Sequence, residues 1–359
     1  MNVEVVSSFG EYVNTVSKLS GEDTNKKEPG VLWFRGNGHE KFSLLPSLFR
    51  TNTRTCRQDG TGHYSSMHYA EDVRTQHYNA KNFHFFAKEP SSRVEWLEVM
   101  QHHGVKTRVL DWSESSVHSL LFALEPFFDD LKFKNEVRRS TVPCVWVLEP
   151  QRLNKKIFEL LKDESPLRKE IFKELEIVGE DCEEWNQINQ VIARYGCFDN
   201  YLKTDETKHI DFLVNLSSVN DEVFRDRVRL KQMLCSGDIV NPYYYMLTRI
   251  YSDGLVLEDR KLPPLAVVHP YHSERIKAQK GVFTVFPFYE RKKGEDFDHL
   301  KINLDAMEWN ALAGDCLHKI IIRNPQQIAY QMMANGINVS WLYPEMPIVS
   351  NEIENHCIY

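Results

Sequence analysis

The sequence predicts an α+β fold with a small mixed or antiparallel sheet, flanking helices and a helical insertion. Short apolar runs typical of buried strands occur near the start, in the middle and near the end of the chain. These runs cover residues 31–34, 142–148, 265–268, 282–288 and 317–322. Segments with apolar residues at helical spacing separate them. With 359 residues, the chain is long enough for one large domain or two ordinary ones.

Helical periodicity accounts for most of the sequence between these runs. It predicts helices over residues 8–20, 67–87, 92–103 and 325–335, and after Ser113 and Leu148. Ser92 is a suitable N-cap, and Gly104 and Gly336 are suitable helix ends. Asp111-Trp112-Ser113-Glu114 resembles a capping box, so we expect the carboxylate of Asp111 to cap the helix that follows.

The chain is predicted to have three parts. Residues 1–150 and 261–359 contain the strand signals and together build the sheet, whereas residues 151–260 form a helical insertion. Within the insertion, residues 163–255 are charged, helix-prone and poor in strand signals. An acidic cluster at 174–184 is better explained by a solvated helix face than by a metal site.

Composition narrows the class of protein. The net charge of −7 argues against a global attraction to nucleic acid, although a local basic groove keeps nucleic acid open as a partner. The seven cysteines are scattered without close pairs, as in a reduced cytoplasmic protein. We expect no metal site and no membrane span, because metal-ligand motifs and long apolar runs are missing from the sequence. The first residues also lack the pattern of a signal peptide, so a cytoplasmic location is expected.

Three polar, glycine-bearing segments flank apolar elements and could form one cleft. The first is Arg35-Gly36, where an arginine at a strand end suits a phosphate or carboxylate, and the glycine would let a ligand approach the backbone. An internal ion pair of Arg35 is the structural alternative. The second, from Gln101 to Ser113, contains two histidines for proton transfer or ribose contact, an arginine and an aspartate. The third, residues 275–281, is a basic turn before a strand.

These segments resemble, in order, the motifs of the FRG domain family, named for Phe-Arg-Gly, here Phe34-Arg35-Gly36. Residues 45–50 are similar to the family's Leu-x-Pro-Ser-Leu-x-Arg element. Residues 101–113 are similar to its Gln-His-Tyr/His-Gly-x-x-Thr-Arg-Leu-Leu-Asp-Trp-Thr block, with Ser113 in place of the final Thr. Residues 275–283 are similar to Arg-Ile-x-x-Gln-x-Gly-x-Phe. The resemblance covers most of residues 5–150 and 262–350 and excludes the insertion.

A weaker resemblance links the order of these motifs to ADP-ribosyltransferases of the Arg-Ser-Glu type. That family places an aromatic-Arg-Gly strand first, then a Ser-Thr-Ser strand, a helix with Ala and Phe, and a strand bearing Glu or Gln. Here Arg35-Gly36, Thr107 with Ser113, Phe122-Ala123 and Gln279 follow the same order. The catalytic Glu-x-Glu pattern is missing, because glycine lies two residues after Gln279. The resemblance implies an ADP-ribosyltransferase-like sheet and NAD as a substrate.

Three functional hypotheses follow. The first is an enzyme or binding protein for a nucleotide, NAD or another phosphate-bearing ligand, with no required cofactor. The second is a nuclease or phosphodiesterase that uses the histidine pair, and the third is a non-catalytic module that binds a protein partner or target. Because the FRG family occurs mainly in bacteria and their phages, the resemblance implies a role in bacterial or phage defence. The predicted catalytic residues are His102, His103, Asp111 and Gln279, and the predicted substrate-binding residues are Arg35, Gly36, Thr107, Arg108, Ser113 and Arg275.

Overall fold

The computed structural model describes the sheet, the helices that cover it and several connecting segments. The described residues are 2–21, 30–50, 71, 74, 75, 78, 93–133, 141–161, 186, 247–252, 262–268, 274–288 and 315–343. The predicted helical insertion lies almost entirely outside the described residues and stays a prediction. So do most of the helix predicted over residues 67–87 and the N-cap assigned to Ser92.

The described residues form seven strands with helices between them. The strands are β1 (Asn2–Val6), β2 (Trp33–Asn37), β3 (Val109–Ser113), β4 (Cys144–Leu148), β5 (Leu265–Val267), β6 (Gly281–Val285) and β7 (Leu317–Ile322). The helices are α1 (Phe9–Leu19), α2 (Arg93–His102), α3 (Ser116–Phe133), α4 (Pro150–Leu161), α5 (Glu274–Ala278) and α6 (Pro325–Ala334). A π-helical turn covers Thr248–Ser252, and a 3-10 turn covers Val339–Trp341.

The strands form one sheet in the order β1-β7-β4-β2-β3-β6-β5. β1 and β7 are parallel, and all other neighbours are antiparallel. The predicted α+β class with a mixed sheet and flanking helices is therefore confirmed. In the described part of the chain, no helix has both the length and the apolar character that a bilayer crossing requires.

The sheet is weakly joined at its centre. β2 pairs with β4, and β3 with β6, over five residue pairs each, but β2 and β3 share only the pair Phe34–Ser113. Beyond that pair the two strands lose their ladder of hydrogen bonds. The sheet thus divides into a four-stranded half, which ends at β2, and a three-stranded half, which begins at β3. The opening between them lies beside Arg35 and Asp111.

Helix α3 packs against β2, and this packing explains Gly36. A Cβ atom at residue 36 would collide with the backbone carbonyl oxygen of Ser119 and lie 2.7 Å from the backbone nitrogen of Ala123. The backbone that approaches Gly36 on this side belongs to α3, and this packing alone requires a glycine. Gly36 also borders the opening between the half-sheets, so its predicted contact with a ligand stays a prediction. Any side chain here would push the helix off the sheet.

The start of α3 also differs from the prediction. Asp111 lies inside β3 and does not cap the helix, which begins at Ser116. The hydroxyl of Ser115 accepts a hydrogen bond from the backbone N–H of His118 at 3.3 Å, so Ser115 takes the capping role. The carboxylate of Asp111 is therefore available to the opening between the two half-sheets.

The far edge of the sheet is covered by a side chain. Asn154 of α4 donates to the backbone oxygen of Ala266 at 2.8 Å and accepts from its N–H at 2.9 Å. These bonds satisfy the outward-facing backbone groups of Ala266 in β5, which would otherwise be an open edge. The three-stranded half is thereby fixed to α4.

Candidate functional site

A cavity of about 300 Å³ occupies the opening between β2 and β3. Residues of all three polar segments line it, together with residues of α3. The lining residues are Phe34, Arg35, Gly36, Gln101, His102, Asp111, Trp112, Ser113, Ser119, Phe122, Arg275, Ile276, Gln279, Gly281 and Phe283. Segments separated by more than 200 positions in the chain thus meet because β2, β3 and β6 are neighbours in the sheet.

The guanidinium of Arg35 lines this cavity, and only one of its three nitrogens donates to a described protein group. Its Nη1 donates to the backbone oxygen of Asp111 at 2.6 Å and lies 3.6 Å from the Oδ2 atom of the same residue. Among the described residues, no protein group accepts a hydrogen bond from its Nε or Nη2. Burial lowers the pKa of Arg35, the charge of Asp111 opposes that shift, and Arg50 adds to it. An arginine nevertheless stays charged at neutral pH, so Arg35 brings a cation with unused donors.

A hydrogen-bond network fixes the orientation of Asp111. Its Oδ2 atom accepts from the amide nitrogen of Gln101 at 3.3 Å. The amide oxygen of Gln101 in turn accepts from the hydroxyl of Thr107 at 2.9 Å and from that of Ser47 at 3.3 Å. Because a carboxylate oxygen can only accept, the amide nitrogen is the atom that faces Asp111, and the amide oxygen is left to accept from the two hydroxyls. Gln101 therefore holds Asp111 at the cavity wall.

Gln101 and Ser47 are not among the residues predicted to catalyse or to bind substrate, although Gln101 begins the second predicted cleft segment. Both belong to motifs that were recognised, the Gln-His block and the Pro-Ser-Leu element, and this was the signal that could have identified them. Thr107, which was predicted to bind substrate, is fully buried and does not line the cavity. Its contribution is indirect, since its hydroxyl orients the amide of Gln101.

Ser113 and Gln279 line the cavity, but they also hold its rim together. The hydroxyl of Ser113 donates to the backbone oxygen of Gln279 at 2.6 Å and accepts from the N–H of Ser115 at 3.0 Å. The amide nitrogen of Gln279 donates to the backbone oxygen of Leu342 at 2.8 Å. These bonds join β3, the turn before β6 and the C-terminal segment around one side of the cavity.

Arg108 does not reach the cavity, so its predicted role in substrate binding is corrected. The side chain is fully buried, and its Nε donates to the carboxylate of Glu71 at 2.9 Å. Its Nη1 and Nη2 donate to the backbone oxygens of Phe286 and Ser252 at 2.8 Å and 2.7 Å. Each guanidinium nitrogen thus has a protein partner. Arg108 ties β3 to more distant segments of the core.

The two histidines differ in their exposure. His102, at the end of α2, is half-buried and lines the cavity, whereas His103 is exposed and lies outside its wall. The ring centres are 5.3 Å apart, with the rings nearly perpendicular. Only His102 is therefore placed to contact a ligand in the cavity. This arrangement does not favour a nuclease mechanism in which both imidazoles act on one phosphate.

Arg275 adds a second cation to the cavity wall. Its guanidinium carbon lies 4.6 Å from the centre of the Tyr343 ring, a cation–π contact. Burial raises the pKa of Tyr343 to about 12, Glu125 reinforces this shift, and Arg275 opposes it. Among the described residues, the cavity wall thus carries Arg35 and Arg275 against the one carboxylate of Asp111, in a chain whose net charge is −7.

Aromatic residues make up part of the rest of the wall. Phe34, Trp112 and Phe283 are buried there, and Phe122 is half-buried. No group of three or more His, Cys, Asp or Glu residues in the described part of the chain could hold a metal ion. Cationic donors against aromatic faces suit an anion that carries a planar apolar group.

Residues 30–130 match the profile of the FRG domain. The chain contains an FRG domain. The match includes β2, α2, β3 and most of α3, and so it contains Arg35, Gln101, His102 and Asp111. Arg275 and Gln279 lie beyond the matched residues, but β6 pairs with β3 and brings them to the same cavity. No curated protein and no solved structure matches the chain.

Proposed function

We propose that the FRG domain binds a nucleotide in the cavity between its half-sheets, with a phosphate group on Arg35. The observation that supports this most strongly is the guanidinium of Arg35, which lines the cavity with two nitrogens that donate to no described protein group. The planar donors of arginine match the geometry of phosphate oxygens. A phosphate there would use donors that are otherwise left to water.

The size and walls of the cavity support a nucleotide over a simple inorganic anion. About 300 Å³ is at the lower end of the range for small-molecule pockets. The enclosed space suits a mononucleotide or one half of a dinucleotide such as NAD. Aromatic faces such as that of Phe122, which is half-buried, provide a surface for a base. Arg275 provides a second cation for a further phosphate.

The proposal extends to cleavage of NAD, either by water or by transfer of ADP-ribose to a target. Cleavage of the bond between nicotinamide and ribose passes through a cation-like sugar, which a nearby carboxylate stabilises. Asp111 is the carboxylate on the wall among the described residues, and His102 is the group beside it that can carry a proton. A role in bacterial or phage defence rests on the occurrence of the family alone.

Calorimetric titration tests the binding step. Wild-type protein, Arg35→Gln and Arg152→Ala are titrated with AMP, ADP-ribose and NAD. Arg152 is a matched control, because it is half-exposed, pairs with Glu149 and does not line the cavity. We expect Arg35→Gln to weaken binding about 10- to 100-fold, since hydrogen bonds to charged groups contribute about 1.5–3 kcal/mol. Absence of binding to wild type, or equal binding by Arg35→Gln, would refute the proposal.

A separate assay decides between an enzyme and a binding module. The protein is incubated with NAD, and release of nicotinamide is followed for wild type, Asp111→Ala and His102→Ala. Release that depends on both residues supports cleavage of NAD. Binding without release supports the non-catalytic module, in which the same cavity senses a nucleotide.

A further inference from the structure

We infer that the carboxylate of Asp111 binds the ribose hydroxyls of the ligand, so that the cavity selects ribonucleotides over deoxyribonucleotides. This inference rests on the proposed function, because it names the part of the nucleotide that lies against Asp111. It assigns the carboxylate a role in specificity that would exist even if the protein catalyses no reaction.

The geometry leaves one oxygen of Asp111 open. Its Oδ2 atom accepts from the amide of Gln101 at 3.3 Å and lies 3.6 Å from Nη1 of Arg35. No group in the described part of the chain donates to its Oδ1 atom. The side chain is 45% exposed although the residue lines the cavity, so the free oxygen can meet a ligand. A carboxylate oxygen accepts hydrogen bonds only, so its partner must be a donor.

The charges around Asp111 restrict what that donor can be. Arg35 and Arg275 line the same cavity, so a cationic donor on the ligand would be repelled by both guanidinium groups. A phosphate bound to Arg35 would be repelled by Asp111 unless a neutral group separated the two anions. Hydroxyl groups are neutral and donate hydrogen bonds. In a 5′-nucleotide one sugar carries both the phosphate and the hydroxyls, separated by neutral carbon atoms, so one ligand can satisfy both residues.

The fixed amide of Gln101 supports the same conclusion. The nitrogen of that amide donates to Oδ2 of Asp111, while its oxygen accepts from two hydroxyls that keep it in place. If Asp111 served only to neutralise Arg35, no such orientation would be needed, because a charge interaction is weakly directional. Recognition of adjacent hydroxyls requires a carboxylate that is held in a fixed orientation and has one oxygen open to the ligand, as Oδ1 of Asp111 is. A carboxylate that binds the ribose hydroxyls is a known device in nucleotide sites.

Competition binding measures this selectivity directly. AMP, 2′-deoxy-AMP and 3′-deoxy-AMP displace a fluorescent adenine nucleotide from wild type, Asp111→Ala, Asp111→Asn and Arg35→Gln. We expect wild type to prefer AMP about tenfold over at least one deoxy analogue, the effect of one charge-assisted hydrogen bond. Asp111→Ala should reduce that ratio to about one, and it should bind deoxy analogues at least as well as wild type does. Arg35→Gln should weaken all three ligands and keep the ratio.

The outcomes separate the two claims. If wild type binds AMP and both deoxy analogues equally, or if Asp111→Ala keeps the preference, the inference about ribose is wrong while phosphate binding at Arg35 stands. If no nucleotide binds to wild type, both the proposed function and this inference are wrong. Should Asp111→Ala fold poorly, as judged by circular dichroism, Asp111→Asn gives the answer. It keeps the shape of the side chain without its charge, and a ratio close to that of wild type would count against the inference.

Discussion

Two arginines of the FRG domain, Arg35 on β2 and Arg108 next to β3, look alike in sequence but lie in opposite environments. Arg35 is 21% exposed, lines the cavity and has one carboxylate at 3.6 Å. Arg108 is fully buried, with Glu71 at 2.9 Å and backbone oxygens on both terminal nitrogens. Two guanidinium nitrogens of Arg35 donate to no described protein group, whereas all three guanidinium nitrogens of Arg108 donate to the protein. A motif arginine is therefore a binding residue only where the fold leaves its donors unused.

The largest effect is expected in the buried region. Glu71→Ala should lower the free energy of unfolding by about 3–5 kcal/mol, because it leaves the charge of Arg108 buried without its carboxylate. Urea denaturation followed by circular dichroism measures the loss. Glu149→Ala is the control, since Glu149 is 31% exposed beside His318 and should cost at most about 1 kcal/mol. Equal losses in the two variants would show that Arg108 is not the structural arginine described above.

At Arg35 we expect a substitution to affect ligand affinity much more than stability. Arg35→Gln should change the free energy of unfolding by less than about 1 kcal/mol, because Asp111 is left in contact with water. Nucleotide affinity should nevertheless fall about 10- to 100-fold. Thermal denaturation and calorimetry on the same preparation give both numbers. If Arg35→Gln lost as much stability as Glu71→Ala, Arg35 would be a structural arginine like Arg108, and the proposed difference between the two would be wrong.

A smaller loss of stability is expected at Gln101, which joins the buried region behind the cavity to the cavity wall. Gln101 links Thr107, which lies behind the cavity, to Asp111, which faces it. Gln101→Leu should cost about 1–2 kcal/mol of stability, since the hydroxyls of Thr107 and Ser47 lose an acceptor. It should also reduce the preference for AMP over its deoxy analogue about threefold, because Asp111 is no longer oriented. An unchanged preference, measured by the same competition assay, would mean that Asp111 needs no support.

The smallest effect is expected on helix α3. The hydroxyl of Ser119 is buried and has no hydrogen-bond partner in the described part of the chain. Ser119→Ala should leave the melting temperature unchanged or raise it, because an unsatisfied polar group is removed. Ser115→Ala, on the same helix, should lower stability by about 1 kcal/mol through loss of the N-cap. A marked loss in Ser119→Ala alone would show that its hydroxyl has a partner.

Strands with continuous apolar runs could be predicted from the sequence, as β4 at Cys144–Leu148 shows. β3 was missed because Asp111 and Ser113 interrupt its apolar pattern, and both residues line the cavity. Residues placed for a site thus weaken the signal of the strand that holds them. β1 was missed because four of its five residues are exposed at the edge of the sheet, so it shows no apolar run.

The site was predictable in its segments but not in the role of each residue. The density of polar groups pointed to residues 35, 101–113 and 275–281, and these segments do share one cavity. The role of Arg108 depended on Glu71, which is 37 positions away and part of no recognised motif. The role of Gln101 depended on hydroxyls that only the folded chain brings to its amide oxygen. Partners of this kind are set by tertiary structure.

Nitrogen-15 NMR of the arginine side chains tests the central claim most directly. The Nε–H signals of Arg35 and Arg108 are assigned by substitution and followed while AMP is added. We predict that the Arg35 signal shifts with the same affinity that calorimetry gives, while the Arg108 signal stays in place. Binding of AMP that leaves the Arg35 signal unmoved, or that moves the Arg108 signal instead, would contradict the account.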